Sequence, residues 1–328
     1  MAEQFLRIQD LHVEFKVYEG RLRVLNGVAL SVGPGERVGL VGEAGCGKTT
    51  TMKCVLRILP SPPGRITKGQ ILFHGRDILR MAPRAVQRVR GRGIAMIFQD
   101  PTAALNPVFT VGDQLMAVIK HGSRNSLGRK EIRERAVAIL REVQLPDPER
   151  LLTNYPIQLS GGMRQRVCIA MALSTEPELL IADEPTTSLD VTIQDQILRL
   201  LHALVERRDT SVIFITHSLG VVREMADWVY VMYAGSIVEA AKKDELFTHP
   251  LHPYTVGLMS AVPKLTGGGI AEGVPGRIPD YLNPPPGCRF HPRCPHAMPE
   301  CQLGQPPLIP LGENHEVACL LYKDGGNG

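Results

Sequence analysis

Residues Glu36–Thr49 read ERVGLVGEAGCGKT. The first half, ERVGLVG, is a short apolar run bounded by glycine, the pattern of a buried strand. The second half, GEAGCGKT (Gly42–Thr49), fits the pattern of a phosphate-binding loop. Glycines at Gly42, Gly45 and Gly47 let the backbone curl so that its N–H groups face an anion. Lys48 brings a cation to the β- and γ-phosphates of a nucleotide. Thr49 offers a hydroxyl to Mg²⁺, and Thr50 beside it is a further nucleotide contact. The spacing predicts a helix from Lys48 to about Leu59, stopped by Pro60, Pro62 and Pro63. Its positive end would be directed at the same anion. A strand, a glycine loop and a helix in this order make a chance glycine-rich turn the poorer account.

Outward from this loop, residues 5–41 read as short β-rich runs. GQILFHG and GIAMIFQ look like further strands. From about Pro101 to Leu173 the pattern turns helical, most clearly in the amphipathic KEIRERAVAILREV. ELLIAD and SVIFIT are again strands, separated by a helix from about Thr192 to Arg208. Alternation of this kind implies parallel strands joined by helical crossovers. Between Pro263 and Gly287 the composition shifts to proline and glycine, a linker or an irregular wrap.

Composition limits the function classes. With 37 Lys and Arg against 33 Asp and Glu, the net charge of +4 is small and its basic residues are scattered, which argues against a nucleic-acid partner. The start, MAEQFLRIQD, shows no secretory signal. WVYVMYA and SVIFIT fall well short of a membrane span. The expectation is a cytoplasmic protein with reduced thiols, whose membrane role would run through a partner.

Asp183 and Glu184 end the strand of LLIADEP, and ligands of open α/β sheets bind beyond the carboxyl ends of strands. Asp183 can hold Mg²⁺ through water, and Glu184 can orient or deprotonate an attacking water. A solvated strand-end pair is the plain alternative, made less attractive by the phosphate loop upstream. His217 ends SVIFITH and would reach a γ-phosphate. LSGGMRQR (Leu159–Arg166) opens another helix. There Ser160 is a natural N-cap, and Gly161 and Gly162 leave backbone N–H groups open to an anion. One nucleotide does not need two such sites, which suggests a nucleotide shared with another subunit.

Phosphate loop, FQDP, LSGGM, LLIADEP, SLD and ITH occur in the order of ABC-type ATPases, and the chain resembles that family over roughly its first 240 residues. The resemblance implies an α/β P-loop ATPase core (residues 1–260) with an antiparallel β-subdomain and an inserted helical subdomain at about 101–175. It further implies a head-to-tail dimer with each ATP between one subunit's phosphate loop and the other's Ser160–Gly162. By position, Gln99 resembles the glutamine that senses Mg²⁺ and the membrane partner. Asp190 resembles the D-loop aspartate, and His217 the switch histidine. Phe15, with Tyr18 as second choice, would stack on adenine. Met163 and Ala44 depart from the usual residues, but neither removes a backbone donor.

HPLHPYT (His249–Thr255), FQDPTAALNP and ADEPTTSLDVTIQ narrow the resemblance to ATPase subunits of dipeptide and oligopeptide importers, now over nearly the whole chain. That implies a peripheral subunit on the cytoplasmic face of the cell membrane, hydrolysing ATP to power peptide import. The expected partners are a second ATPase chain, a related one in preference to a second copy though the sequence does not decide between heterodimer and homodimer, two membrane permeases and, indirectly, an extracytoplasmic peptide-binding protein. The same machine with another cargo, such as nickel, is one alternative; a soluble ABC ATPase outside transport is another. His249 and His252 could be taken for a metal pair, but beside prolines they read better as packing.

The C-terminal extension (261–328) carries Cys288, Cys294, Cys301 and Cys319, with five, six and seventeen residues between them. Four thiolates can close a Cys₄ site, and a reducing compartment argues against two disulfides. Zn²⁺ is a rival, but its structural sites usually show tight C-x₂₋₄-C pairs, which are missing here. Iron–sulfur clusters use more irregular spacings and often a proline after a cysteine, as Pro295 follows Cys294. The family resemblance adds a 4Fe–4S cluster. Such a site would supply folding energy to a segment poor in apolar residues, leaving the tail a separate module whose loss spares the core. Cys46, Cys54 and Cys168 lie in the core and are expected only to pack.

Overall fold

A computed structural model describes residues 5–123, 126–187, 189–261 and 273–323. In chain order the strands are β1 (Leu6–Val17), β2 (Gly20–Val32), β3 (Arg37–Val41), β4 (Gly64–Phe73), β5 (Arg76–Asp77), β6 (Ile94–Ile97), β7 (Leu179–Asp183), β8 (Ser211–Thr216), β9 (Trp228–Tyr233), β10 (Ser236–Lys242), β11 (Ile309–Pro310) and β12 (His315–Val317). The helices are α1 (Lys48–Val55), α2 (Pro83–Val89), α3 (Pro101–Ala104), α4 (Val111–Gly122), α5 (Arg129–Glu142), α6 (Pro148–Leu151), α7 (Gly161–Leu173), α8 (Val191–Arg208), α9 (Leu219–Met225), α10 (Lys243–Thr248) and α11 (Pro253–Ser260). The chain divides into two units, Met1–Met81 with Phe214–Gly328, and Ala82–Ile213; the division falls inside β8.

The first unit holds an antiparallel sheet in the order β2-β1-β4-β5. In β1 the buried residues are Leu6 and Ile8, then Leu11 and Val13, so the inward frame changes from even to odd. A register shift between Ile8 and Leu11 makes that change, with Asp10 in the left-handed region at φ 48°. One extra residue in a strand turns every later side chain to the other face, and the bulge lets both halves bury their apolar residues.

A second set of strands in this unit carries the phosphate loop. β3 pairs in parallel with β9, β9 turns back through Ala234–Gly235 into antiparallel β10, and β10 pairs with β12. Residues near the C-terminus therefore extend the same ladder that holds β3. Val41, Val229, Val231, Tyr233, Tyr254 and Phe290 form one buried cluster, with Cys288 and Cys294 packed against it. The Pro/Gly-rich stretch is an irregular wrap where described: Tyr281 O accepts the Arg23 N–H at 2.8 Å. Its residues 263–272 lie outside the described ones.

Helix α1 ends earlier than the prolines predict. Arg57 takes φ 51° and donates its N–H to Cys54 O, while Ile58 N–H reaches Lys53 O. These two bonds close the helix in a Schellman motif with arginine where glycine is usual. The Arg57 guanidinium, bonded to the carbonyls of Ile78 and Met81, holds that backbone in place.

The second unit contains the parallel pair β6–β7 and helices α2 to α8. α4 opens on a capping box between Thr110 and Asp113. α5 buries Ile132, Ala136, Val137, Ile139 and Leu140, the stripe its periodicity predicts. Val111 N–H bonds to Asn154 O at 2.9 Å, joining the loop before α4 to the loop after α6.

Candidate functional site: a phosphate loop, a strand-end acid pair and a four-cysteine segment

In the first unit, β3 delivers the chain into a tight loop from Gly42 to Gly47, and α1 starts at Lys48. Gly42 has φ 151°, and a Cβ there would stand 2.1 Å from Met232 O, so no side chain fits. Lys48 is buried and its ammonium donates to Gly42 O at 2.7 Å and Glu43 O at 3.0 Å, across the face of the loop. Thr49 and Thr50 are half-buried in the first turn of α1. Cys46 is fully buried, and burial raises its thiol pKa despite the opposing charge of Lys48. Phe15 is half-buried in β1 against Gly64, where a Cβ would meet its ring at 3.0 Å; Tyr18 is fully exposed. His217 follows β8 and is exposed.

In the second unit, Asp183 is buried at the end of β7, and Glu184 follows it with φ 43°. A glutamate in the left-handed region costs on the order of 1 kcal/mol and must be held there by its surroundings. Gln99 Nε2 and Thr187 Oγ1 both donate to Glu184 Oε2, at 2.9 and 3.0 Å. The structure thus joins two residues that the sequence named separately, and adds Thr187, which it missed. Ser160 caps α7 as expected, its Oγ accepting from Met163 N–H at 3.3 Å. A Cβ on Gly162 would lie 2.9 Å from Ile193 Cγ2, and one on Gly161 3.3 Å from Leu189 Cδ2. The two glycines therefore let the start of α7 lie against the start of α8, where exposed Asp190 is the N-cap residue. Ser188 lies outside the described residues.

The C-terminal segment reaches the phosphate loop directly. Glu43 N–H donates to Tyr254 Oη at 2.9 Å. The Glu43 carboxylate pairs with both Arg293 terminal nitrogens, at 2.8 and 3.1 Å. Tyr281 Oη donates to Gly45 O at 2.9 Å. None of these three partners was visible as such in the sequence: each lies more than 200 positions from the loop it touches, and no local spacing records the meeting. β12 and Arg293 of the tail belong to the unit that holds the loop.

Of the histidines of HPLHPYT, His249 is exposed and only His252 packs in the interior. His252 is buried, and its Nδ1 accepts from Tyr254 N–H at 3.1 Å; burial lowers its pKa to about 4 and keeps it neutral. Buried Glu239 accepts the N–H groups of Leu251 and His252 and pairs with His315 at 2.7 Å.

Cys288, Cys294, Cys301 and Cys319 line one small cavity with His252, Phe290 and Met298. Burial first, then the neighbouring thiols, pushes Cys288 up to about 11. Cys294 and Cys319 are raised by the same causes. Among the described residues, however, no three His, Cys, Asp or Glu side chains are grouped so as to hold a metal ion. Cys54 and Cys168 are buried thiols pushed up to about 12 by burial, the packing role expected of them.

Comparison with known proteins adds the following. The family model described as ABC transporter matches residues 25–187, and that described as the C-terminal region of oligopeptide/dipeptide transporters matches residues 238–301. The chain is 46% identical to the dipeptide transport ATP-binding protein DppD of Bacillus subtilis, over 97% of this chain and 95% of that protein. It is 45% identical to the oligopeptide transport ATP-binding protein OppD of the same organism, over 98% of this chain and 90% of that one. Among solved structures it is similar to the dimeric ATP-binding cassette MJ0796 bound to ADP and Pi, with a TM-score of 0.65 and 26% identity over 73% of this chain and 98% of that one. It is also similar to cbiO1 of Clostridium perfringens, with a TM-score of 0.61 and 27% identity over 75% and 91% of the two chains.

Proposed function

This chain belongs to the ATP-binding proteins of dipeptide and oligopeptide ABC transporters, and we propose from that premise that it hydrolyses ATP to power import of di- and oligopeptides through a membrane permease complex. The observation that carries this reading is the presence, in one chain, of an ABC transporter match and a peptide-transporter C-terminal match.

In this reading Lys48 neutralises the β- and γ-phosphates while the backbone of Gly42, Gly45 and Gly47, with Thr50, cradles them. Thr49, Gln99 and Asp183 would hold Mg²⁺, which supplies charge neutralisation at the phosphates. Their donor set of hydroxyl, amide and carboxylate oxygens suits that hard cation. Glu184 orients the attacking water and accepts its proton. The hydrogen bond from Gln99 to Glu184 supports a role for Gln99 in aligning that carboxylate. His217 contacts the γ-phosphate, and Phe15 stacks on adenine. Ser160, Gly161 and Gly162 complete the nucleotide site of a second ATPase subunit, with Asp190 at the same interface. A related but different chain is the proposed partner.

We place the ATPase domain at residues 1–260, its helical subdomain at about 101–175 and the extension at 261–328. Two membrane permeases and, indirectly, an extracytoplasmic peptide-binding protein complete the assembly, with this chain at the cytoplasmic face. Among the described residues no helix is long and apolar enough to cross a membrane. The second unit exposes Phe98, next to Gln99 in sequence, and Val108, Phe109, Tyr155 and Ile157 in the loops before α4 and after α6. Exposed apolar residues on adjoining loops are what a permease contact requires.

Cys288, Cys294, Cys301 and Cys319 are proposed to hold a 4Fe–4S cluster that cross-links the segment. Four thiols on one cavity fit the donor set. Zn²⁺ is the alternative occupant of the same four thiols.

Affinity purification of the full chain from detergent-solubilised membranes tests the assembly. Two permeases and a second ATPase chain should co-purify. Recovery of the chain alone, from membranes that contain the permeases, would argue against it.

A further inference from the structure

The phosphate loop is gripped from outside by residues of the C-terminal segment. Glu43 is held at both ends: Tyr254 Oη takes its N–H, and the Arg293 guanidinium takes its carboxylate through two nitrogens. Gly45 is held through its carbonyl by Tyr281. Next in the loop, Cys46 O accepts from Gly235 N–H at 2.8 Å, and the turn containing Gly235 is tied by Arg289, which donates to the carbonyls of Ala234 and Arg23.

These residues are not loosely attached. The Arg293 side chain is 5% exposed, lies over the Tyr233 and Phe290 rings, and donates to Val274 O and Pro275 O. It immediately precedes Cys294. The 288–301 segment is closed by Cys288 N–H to Cys301 O at 2.8 Å and Cys294 N–H to His291 O at 3.2 Å. A bidentate pair of this kind, with its guanidinium buried, fixes direction as well as distance. Conserving charge alone would satisfy neither.

We propose that Arg293, Tyr281 and Tyr254 are positioning residues for the phosphate-binding loop, through which order in the four-cysteine segment sets the conformation that Glu43–Gly45 presents to a nucleotide. The proposal rests on the reading of this loop as an ATP site. None of the three touches the phosphates; each acts through the loop backbone or through Glu43.

The test is saturation binding of Mg-ATP to the purified full chain, with folding followed by thermal melting. Arg293→Met and Glu43→Gln should each weaken binding about tenfold. The double variant should be no weaker than the worse single one, because both remove the same contact. Tyr281→Phe, which removes only a hydroxyl, should cost about threefold. Arg293→Lys keeps the charge without the fork and should recover only part of the loss. A side chain that merely supports the tail would lower the melting temperature without this non-additivity in affinity. Binding within twofold of wild type for both Arg293→Lys and Tyr281→Phe, or effects of Glu43→Gln and Arg293→Met that simply multiply, would overturn the proposal. A wild-type chain with no saturable ATP binding, or Lys48→Ala binding as wild type does, would instead overturn the ATP-site reading beneath it.

Discussion

On the proposed reading Glu184 is the residue on which the chemistry turns, and its environment is unusual for a carboxylate at a strand end. It sits in the left-handed region and takes hydrogen bonds from Gln99 and Thr187 on one oxygen. The other oxygen receives neither of those bonds. Glu184→Gln should retain ATP binding and lose hydrolysis by about two orders of magnitude or more, the scale of lost general-base or positioning catalysis. Lys48→Ala should lose binding instead, because the phosphate cation is gone. Steady-state turnover and nucleotide titration on the two variants separate these outcomes, and wild-type turnover in Glu184→Gln would sink the role assigned to it. Lys48, Asp183 and Glu184 were legible in the sequence because strand, glycine loop and acid pair are local patterns. Arg293 and Tyr281 were not, because a pairing across more than 200 residues leaves no periodicity behind.

At the scale of elements, α7 and α11 carry separate expectations. The first turn of α7 lies close against Leu189 and Ile193 through Gly161 and Gly162. Ser160→Arg, at the exposed cap, should suppress turnover of the assembled complex at least tenfold while nucleotide affinity of the isolated chain stays within about threefold. Activity at the wild-type level in the complex would remove the shared site. The helix α11 begins on His252, a neutral imidazole held by burial at about pH 4 instead of its ordinary 6.5. Between those values the unfolded chain binds a proton that the folded chain refuses. Stability is therefore fully present above about pH 6.5 and falls as the pH drops toward 4, by on the order of 3 kcal/mol in total. Glu239, which accepts the His252 backbone N–H, pulls the other way. His252→Asn keeps an acceptor for Tyr254 N–H and does not titrate. Its melting temperature should lose less than the wild type's between pH 7 and pH 5; parallel profiles would show that His252 does not supply the dependence. The strands up to β8 that flank the loop and the acid pair, and helices α1, α5, α7 and α8, were legible from their periodicity, whereas β9, β10 and β12 and helices α2, α9, α10 and α11 were not named from it. The early end of α1 was not, because Arg57 fills a glycine position and only its bonds to distant carbonyls explain it.

For the whole molecule, the sequence suggested a core and a detachable tail, and the folded first unit joins them. β12 extends the ladder of β3, β9 and β10, and the cysteine segment reaches Glu43. Cys294→Ser should therefore disturb both: the tail should become more susceptible to protease, and ATP affinity should fall several-fold. Loss of tail order with unchanged affinity would restore the view of an independent module. Composition could not show this, because the Pro/Gly-rich wrap looks the same whether it docks or dangles, and docking depends on particular pairs such as Tyr281 with Gly45. The central claim is that this chain spends ATP to move peptides. Its most direct test is uptake of a labelled di- or oligopeptide into proteoliposomes that contain the purified permease complex with this chain, its binding protein added on the side facing the peptide. The account predicts ATP-dependent accumulation with the wild-type chain and none above background with Glu184→Gln at equal incorporation; equal accumulation with the two, or ATP hydrolysis by the wild-type complex without any peptide uptake, would contradict it.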